Sequence, residues 1–159
     1  MRIKLLAVGD RMPAWVRAGF EDYSARLPRE WRFELKEIPA AARSKNAHLA
    51  DVARLKEAEG EKIIKALPRG AQLIALDERG ESWSTLDLVK VIENGQREGQ
   101  EICLLIGGPD GLAPGILARA RSRWSLSRLT LPHALVRVLV VEQLYRAWSV
   151  LANHPYHRA

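Results

Sequence analysis

Short apolar runs that stop at glycine or proline punctuate this chain, and they leave few folds open. Ile3–Val8 ends at Gly9. Leu73–Leu76 lies between Pro68-Arg69-Gly70 and Asp77-Glu78-Arg79-Gly80, and Ile102–Ile106 runs into Gly107-Gly108-Pro109-Asp110-Gly111. Runs this short, with little polar alternation, suit strands covered on both faces. Phe33–Ile38 is strand-like up to Pro39, and Ser127–Leu131 reads as an extended segment closed by Pro132. Helical patterns fill the gaps. Residues 13–26 open at Pro13 and turn Trp15, Val16, Phe20 and Tyr23 inward; residues 47–66 are helical by period, weakened by Gly60; Ser84 or Thr85 caps a helix to about Arg97. Pro114 opens a short helix, and residues 133–151 form the last one, stopped by Asn153-His154-Pro155; Ala40–Asn46 is a loop. Alternating strands and helices predict an α/β fold with a mostly parallel sheet flanked by helices. At 159 residues, one domain spanning 1–159 is expected. In such sheets ligands bind beyond the carboxyl ends of strands, here after Leu76, Ile106 and Leu131.

The charge is unevenly placed. Residues 1–110 carry 18 basic and 18 acidic side chains, which cancel. Residues 111–159 carry seven arginines (Arg119, Arg121, Arg123, Arg128, Arg137, Arg146 and Arg158) against the single acid Glu142. Arginine's planar fork suits phosphate and base recognition, so an anionic partner such as nucleic acid, or a plain solvated basic face, explains the excess of +6. One cysteine, Cys103, inside an apolar run, leaves no internal disulfide and no cysteine metal cluster. No run is long and apolar enough to span a membrane, and the N-terminal apolar stretch is too short for a signal peptide, so a cytoplasmic protein is expected. Neither G-x-S-x-G nor H-E-x-x-H occurs, and no metal is expected.

Four constellations carry chemistry. Gly107–Gly111 is either a tight turn or a place where backbone approaches a ligand closely; it is no P-loop, because no Gly-Lys-Ser/Thr follows. The run Ser127-Arg128-Leu129-Thr130-Leu131-Pro132-His133 is either an edge segment or a cradle whose backbone groups hold a flat ring. On the last helix Arg137 projects with Val141, Leu144, Trp148 and Leu151, while Glu142, Gln143, Arg146, Ser149 and Asn153 lie about 120–240° away as a polar face. His133 shares Arg137's side one turn earlier. A charge on an apolar side needs a partner or a task, so this pair is structural or catalytic. The tail Asn153-His154-Pro155-Tyr156-His157-Arg158 either frays or meets nucleic acid through His154, Tyr156 and Arg158.

The stretches AVGDRMPAWVRAGFEDY, EIPA followed by RSKN, LLIGGPDGL, WSLSRLTLPHALVRVLVVEQLYRAW and NHPYHR together resemble the SPOUT-class methyltransferases that modify N3 of a pseudouridine in bacterial large-subunit ribosomal RNA (the RlmH type). The resemblance covers nearly the whole chain and is weakest over 56–100. It implies an α/β knot with a C-terminal trefoil, and S-adenosylmethionine held by Leu76, Gly107, Gly108 and Ser127, Arg128, Leu129, Thr130, Leu131 and Pro132. It implies a homodimer in which one subunit's tail reaches the other's cofactor, and a substrate that is the assembled ribosome. His133, Arg137 and His154 are then the catalytic candidates, with Arg146, Tyr156 and Arg158 toward substrate. The two histidines are the only bases near the site in this reading. A nucleotide-dependent oxidoreductase and a non-catalytic RNA-binding scaffold are the rivals; the first lacks an acidic residue placed for a ribose after a glycine fingerprint.

Overall fold

The computed structural model describes residues 1–45 and 48–158. In order, the elements are β1 (Ile3–Val8), α1 (Ala14–Ser24), a 3-10 turn (Arg29–Trp31), β2 (Glu34–Ile38), α2 (Leu49–Ala66), β3 (Gln72–Ser82), α3 (Thr85–Glu98), β4 (Ile102–Ile106), α4 (Pro114–Arg119), β5 (Ser122–Ser125) and α5 (His133–Leu151). The five strands form one sheet in the order β2-β1-β4-β3-β5, and every pairing is parallel. The expected start of the second helix at residue 47, and Asn46 of the loop before it, lie outside the described residues.

Strand alternation divides the core in two. Ile3, Leu5, Ile102 and Leu104 face a layer that includes Phe20 of α1, Leu88 and Ile92 of α3, and Val140 and Leu144 of α5. Leu6, Val8, Cys103 and Leu105 face Ile63 of α2 and Ile116 of α4. Helices therefore cover both faces, and all five residues of β4 are buried, which is why that strand reads as an unbroken apolar run.

Two expectations about strands need correction. Ser127–Leu131 is not a strand. The edge strand is β5, just upstream, and residues 126–132 form a loop between it and α5. β-Branched and aromatic content did not mark β5, because a four-residue edge strand has little room for a pattern. Nor does the strand beginning near Leu73 stop at Leu76. β3 continues to Ser82, and its pairing with Trp124 of β5 shifts from Leu76 to Glu81. The Asp77-Glu78-Arg79-Gly80 segment, which reads as a strand boundary, is an irregularity that re-aims the chain inside a strand. Gly80 makes it possible: a Cβ there would sit 2.5 Å from the Arg123 carbonyl oxygen.

The polar face assigned to α5 is also not a solvent face throughout. The helix packs against α1 and α3, so Ser149 is fully buried and satisfies its hydroxyl by donating to the Arg146 carbonyl at 2.6 Å.

Candidate active site

A cleft of about 760 Å³ opens at the carboxyl ends of β3, β4 and β5, in the size range of small-molecule sites. Leu76 and the Asp77–Arg79 irregularity line one side, the Gly107–Leu112 segment a second, and the 126–132 loop with His133 a third. All the residues expected to hold the cofactor are lining residues except Arg128. Three chain segments far apart in sequence thus meet where an open parallel sheet binds ligands.

Each wall is fixed locally. In the glycine segment, the Gly111 N–H donates to the Gly108 carbonyl at 3.0 Å, closing a turn with Pro109 and Asp110 in its middle, and Gly111 takes φ +82°. A Cβ on Gly107 would lie 2.5 Å from the Gly111 carbonyl carbon, so a side chain there would break the turn. In the 126–132 loop, the Ser125 hydroxyl donates to the Ser127 carbonyl at 2.9 Å, and the Leu129 N–H donates to the Ser127 hydroxyl at 2.9 Å. Thr130 ties the loop to the β3 irregularity by donating to Glu78 Oε2 at 2.8 Å. Trp124, which also lines the cleft, is almost wholly buried and stacked on Trp83 at 5.4 Å between ring centres.

The residues fit a sulfonium methyl donor. Leu76, Ile106, Leu117, Leu131 and Val136 offer an apolar bed for a flat ring, while Asp77 and Glu78 give the cleft carboxylates for a cationic ligand, and Asp110 is already paired with Arg43. Lys56, Arg79 and Arg123, also in the lining, offer cations for an anionic partner. No group of His, Cys, Asp and Glu among the described residues is arranged to hold a metal ion. Cys103 is buried on β4, and burial pushes its thiol up to about 12, so it supplies no thiolate at neutral pH.

His133 and Arg137 lie together but differ in surroundings. His133 lines the cleft, half-buried. Burial first, then the nearby Arg137 and Arg43 charges, hold its imidazole below the usual histidine range, with Glu59 opposing. Arg137 is not in the lining. It is 2% exposed, donates from Nη1 to Glu37 Oε2 at 2.7 Å, and donates from Nη2 to the carbonyls of Gly9 (2.5 Å) and Val8 (3.3 Å). The guanidinium therefore clamps the carboxyl ends of β1 and β2 under α5. Sequence reasoning had no means to name Glu37, because the pair spans 100 residues.

The tail is docked rather than frayed. The Tyr156 hydroxyl donates to Glu142 Oε1 at 3.0 Å, and its ring packs 4.5 Å from Tyr145 and 4.8 Å from the Arg146 guanidinium. Burial, with hydrogen bonding to Tyr23 and Glu142, pushes that phenol well above its ordinary value. Arg146 is itself held by Glu142 through Nε (2.9 Å) and Nη2 (2.6 Å). His154 lies against Trp148 and Tyr145 and accepts the Tyr156 N–H at Nδ1, while Arg158 is exposed. Tyr156 sits beside residues 142–146, which at helical rise is about 14–20 Å along α5 from His133. Within one chain, then, the cleft brings together His133 and the expected cofactor residues other than Arg128, but not Arg137, His154, Arg146, Tyr156 or Arg158.

The family model for predicted SPOUT methyltransferases matches residues 1–157. A ribosomal RNA large subunit methyltransferase H from Thioalkalivibrio sulfidiphilus (strain HL-EbGR7) is 52% identical over 158 residues, covering 99% of each chain. The fold is also that of a probable methyltransferase from Bordetella pertussis Tohama I (TM-score 0.61, 14% identity, 92% of this chain and 93% of that one). A putative methylase family protein from Neisseria gonorrhoeae is similar in fold too (TM-score 0.55, 12% identity, 98% and 94%). With the cleft formed by the segments that carry the sequence motifs, and with these matches along the whole length, the chain belongs to the SPOUT methyltransferase family.

Proposed function

We propose that this enzyme transfers the methyl group of S-adenosylmethionine to N3 of a pseudouridine in large-subunit ribosomal RNA of the assembled ribosome, in the cytoplasm. The observation that carries the reading is the cleft itself, built from Leu76, the glycine turn and the 127–132 loop. The full-length likeness to a ribosomal RNA large subunit methyltransferase supports the substrate class. Bound S-adenosylmethionine supplies an activated methyl group and needs no metal. The chain's part is to hold donor and base in line, worth up to about 7–11 kcal/mol, and to help the N3 proton leave. His133, kept neutral by its surroundings, is placed to take that proton.

The threading of residues 126–132 supports a trefoil knot. β5 lies at the β3 edge of the sheet, whereas α5 packs back against α1 and α3, so the chain must cross the carboxyl ends of the strands beside the glycine turn. A homodimer completes the site. Leu135 and Leu139 of α5 are half-buried yet pack in neither apolar core, and Trp15 of α1 is 63% exposed. Because the tail cannot reach its own cleft from its docked position, His154 and Arg158 serve a cleft only across such an interface. The test is calorimetric titration with S-adenosylmethionine and with NAD, followed by methyl transfer from labelled donor to whole ribosomes and to free ribosomal RNA. Binding of NAD in preference, or labelling of free RNA but not ribosomes, would overturn the reading.

A further inference from the structure

Behind the glycine turn lies a charged cluster whose only part so far is the field it exerts on His133. Glu59, on α2, is 2% exposed. A carboxylate so placed needs compensation, and three donors supply it: Arg43 Nη1 at 2.9 Å and Nη2 at 3.0 Å, and the Ala41 N–H at 3.0 Å. Arg43 then reaches on through Nε to Asp110 Oδ2 at 2.7 Å, and its Nη1 also donates to the Ala41 carbonyl at 3.1 Å. Four of its five N–H groups are thus accounted for within the protein, and it is not a lining residue of the cleft. The cluster presses directly on the turn. A Cβ on Gly108 would lie 3.5 Å from Arg43 Nη2 and 3.5 Å from Glu59 Oε1. Its base is rigid as well, because α2 packs closely on α4 at Gly60, where a Cβ would lie 3.3 Å from Ile116.

We propose that Glu59 and Arg43 are positioning residues for methyl transfer: through Asp110 they fix the Gly108–Gly111 turn, and so the wall of the cleft, from behind. The inference rests on the reading that this cleft holds S-adenosylmethionine. Glu59 anchors the guanidinium in one orientation, and the fork of Arg43 spans from the buried carboxylate to the one on the turn. Lysine, a single point of charge, cannot bridge both.

The test is S-adenosylmethionine titration of the full chain, well below its melting temperature, for the parent protein, Arg43→Lys, Asp110→Asn and the double variant. Asp110→Asn takes the charge out of the outer link, leaving a weaker neutral acceptor, at a partly exposed position, so folding is not at stake. Each single change should weaken binding about tenfold, in the middle of the range for coupled neighbours, and the double variant should be no weaker than Arg43→Lys. Amide hydrogen exchange of Gly108 and Gly111 should rise in both single variants. Unchanged affinity alongside a lowered melting temperature would show a merely structural cluster and overturn the proposal. Multiplying effects in the double variant would mean separate contacts with the ligand, and would overturn it too. A parent protein that does not bind S-adenosylmethionine would instead bring down the reading of the cleft, a result distinct from any difference among variants.

Discussion

At the scale of single residues, His133 and Arg137 share one side of α5 but differ in surroundings, one lining the cleft and the other buried against β1 and β2. Burial and the Arg137 and Arg43 charges disfavour the imidazolium, with Glu59 acting the other way, so the neutral imidazole is favoured. If it accepts the N3 proton, kcat/KM falls on the acid side with an inflection below 6.5, and His133→Asn lowers the rate by about 10²–10⁴ with donor affinity little changed. An inflection above 6.5, or an unaltered profile in the variant, would move the base elsewhere. The same shift has a sign in stability. The unfolded chain takes up this proton as pH drops below about 6.5 while the folded chain resists it, so stability declines through that window and not above it. Arg137 makes a different prediction. Its pair with Glu37 and two backbone carbonyls is buried on the arginine side, whereas Glu37 is 37% exposed and can rehydrate. Arg137→Met should therefore cost about 3 kcal/mol in denaturant unfolding, the low end for a broken buried pair. The sequence showed that Arg137 needed a partner or a task, because it shares a side with Val141 and Leu144. It could not show which, since the partners lie on β1 and β2.

At the scale of elements, local chemistry wrote most boundaries into the sequence. α3 begins where Ser84 caps it: the Asp87 N–H donates to the Ser84 hydroxyl at 3.1 Å, and the Asp87 carboxylate accepts the Ser84 N–H at 3.0 Å. Those backbone and hydroxyl bonds hold the Asp87 carboxyl below its usual range. Ser84→Ala should accordingly cost about 1 kcal/mol in thermal or denaturant unfolding, and no measurable loss would mean the box is not formed in solution. β4 and α5 were legible for related reasons, one by an unbroken apolar run between Gln100-Glu101 and Gly107, the other by Pro132 before it and Asn153-His154-Pro155 after it. What escaped was set by tertiary contact. The 127–132 loop has an extended, Pro-terminated look, yet these hydrogen bonds run to side chains, the Ser127 hydroxyl and the Glu78 carboxylate, rather than to a strand's backbone. Asp77–Gly80 looks like a turn, yet β3 resumes beyond it because Gly80 lets Arg123 come close. The Arg43, Glu59 and Asp110 cluster left no trace, since three charged residues in a loop, a helix and a turn have no common period.

At the scale of the whole molecule, the cleft and the docked tail lie at different places along α5. A tail that either frays or meets nucleic acid, as the sequence reads, would be removable without touching the core. Tyr156 instead packs on Tyr145 and bonds Glu142, so deletion strips a covering from that part of α5. Point changes are the cleaner probe. His154→Ala together with Arg158→Ala removes the exposed groups and the Tyr156 N–H contact to His154, but keeps the Tyr156 ring on Tyr145 and its hydroxyl on Glu142. Gly108→Val is a poor way to block the cleft, because its side chain meets Val8 at 3.1 Å and the Arg43–Glu59 pair. Leu131→Trp, on a half-buried lining position, fills the cleft from its loop side. Homodimers of either variant should transfer methyl groups to ribosomes at a rate lower by two orders of magnitude or more, the scale for losing a positioning or acid–base group. Mixed dimers should recover activity. In one of their two sites the intact cleft of the tail-altered subunit faces the intact tail of the Leu131→Trp subunit, and nothing is missing there. Mixed dimers as inactive as both parents would show that the tail serves no neighbouring cleft. His133 would then have to act without His154, and the basic tail would be left as a surface for ribosome binding alone.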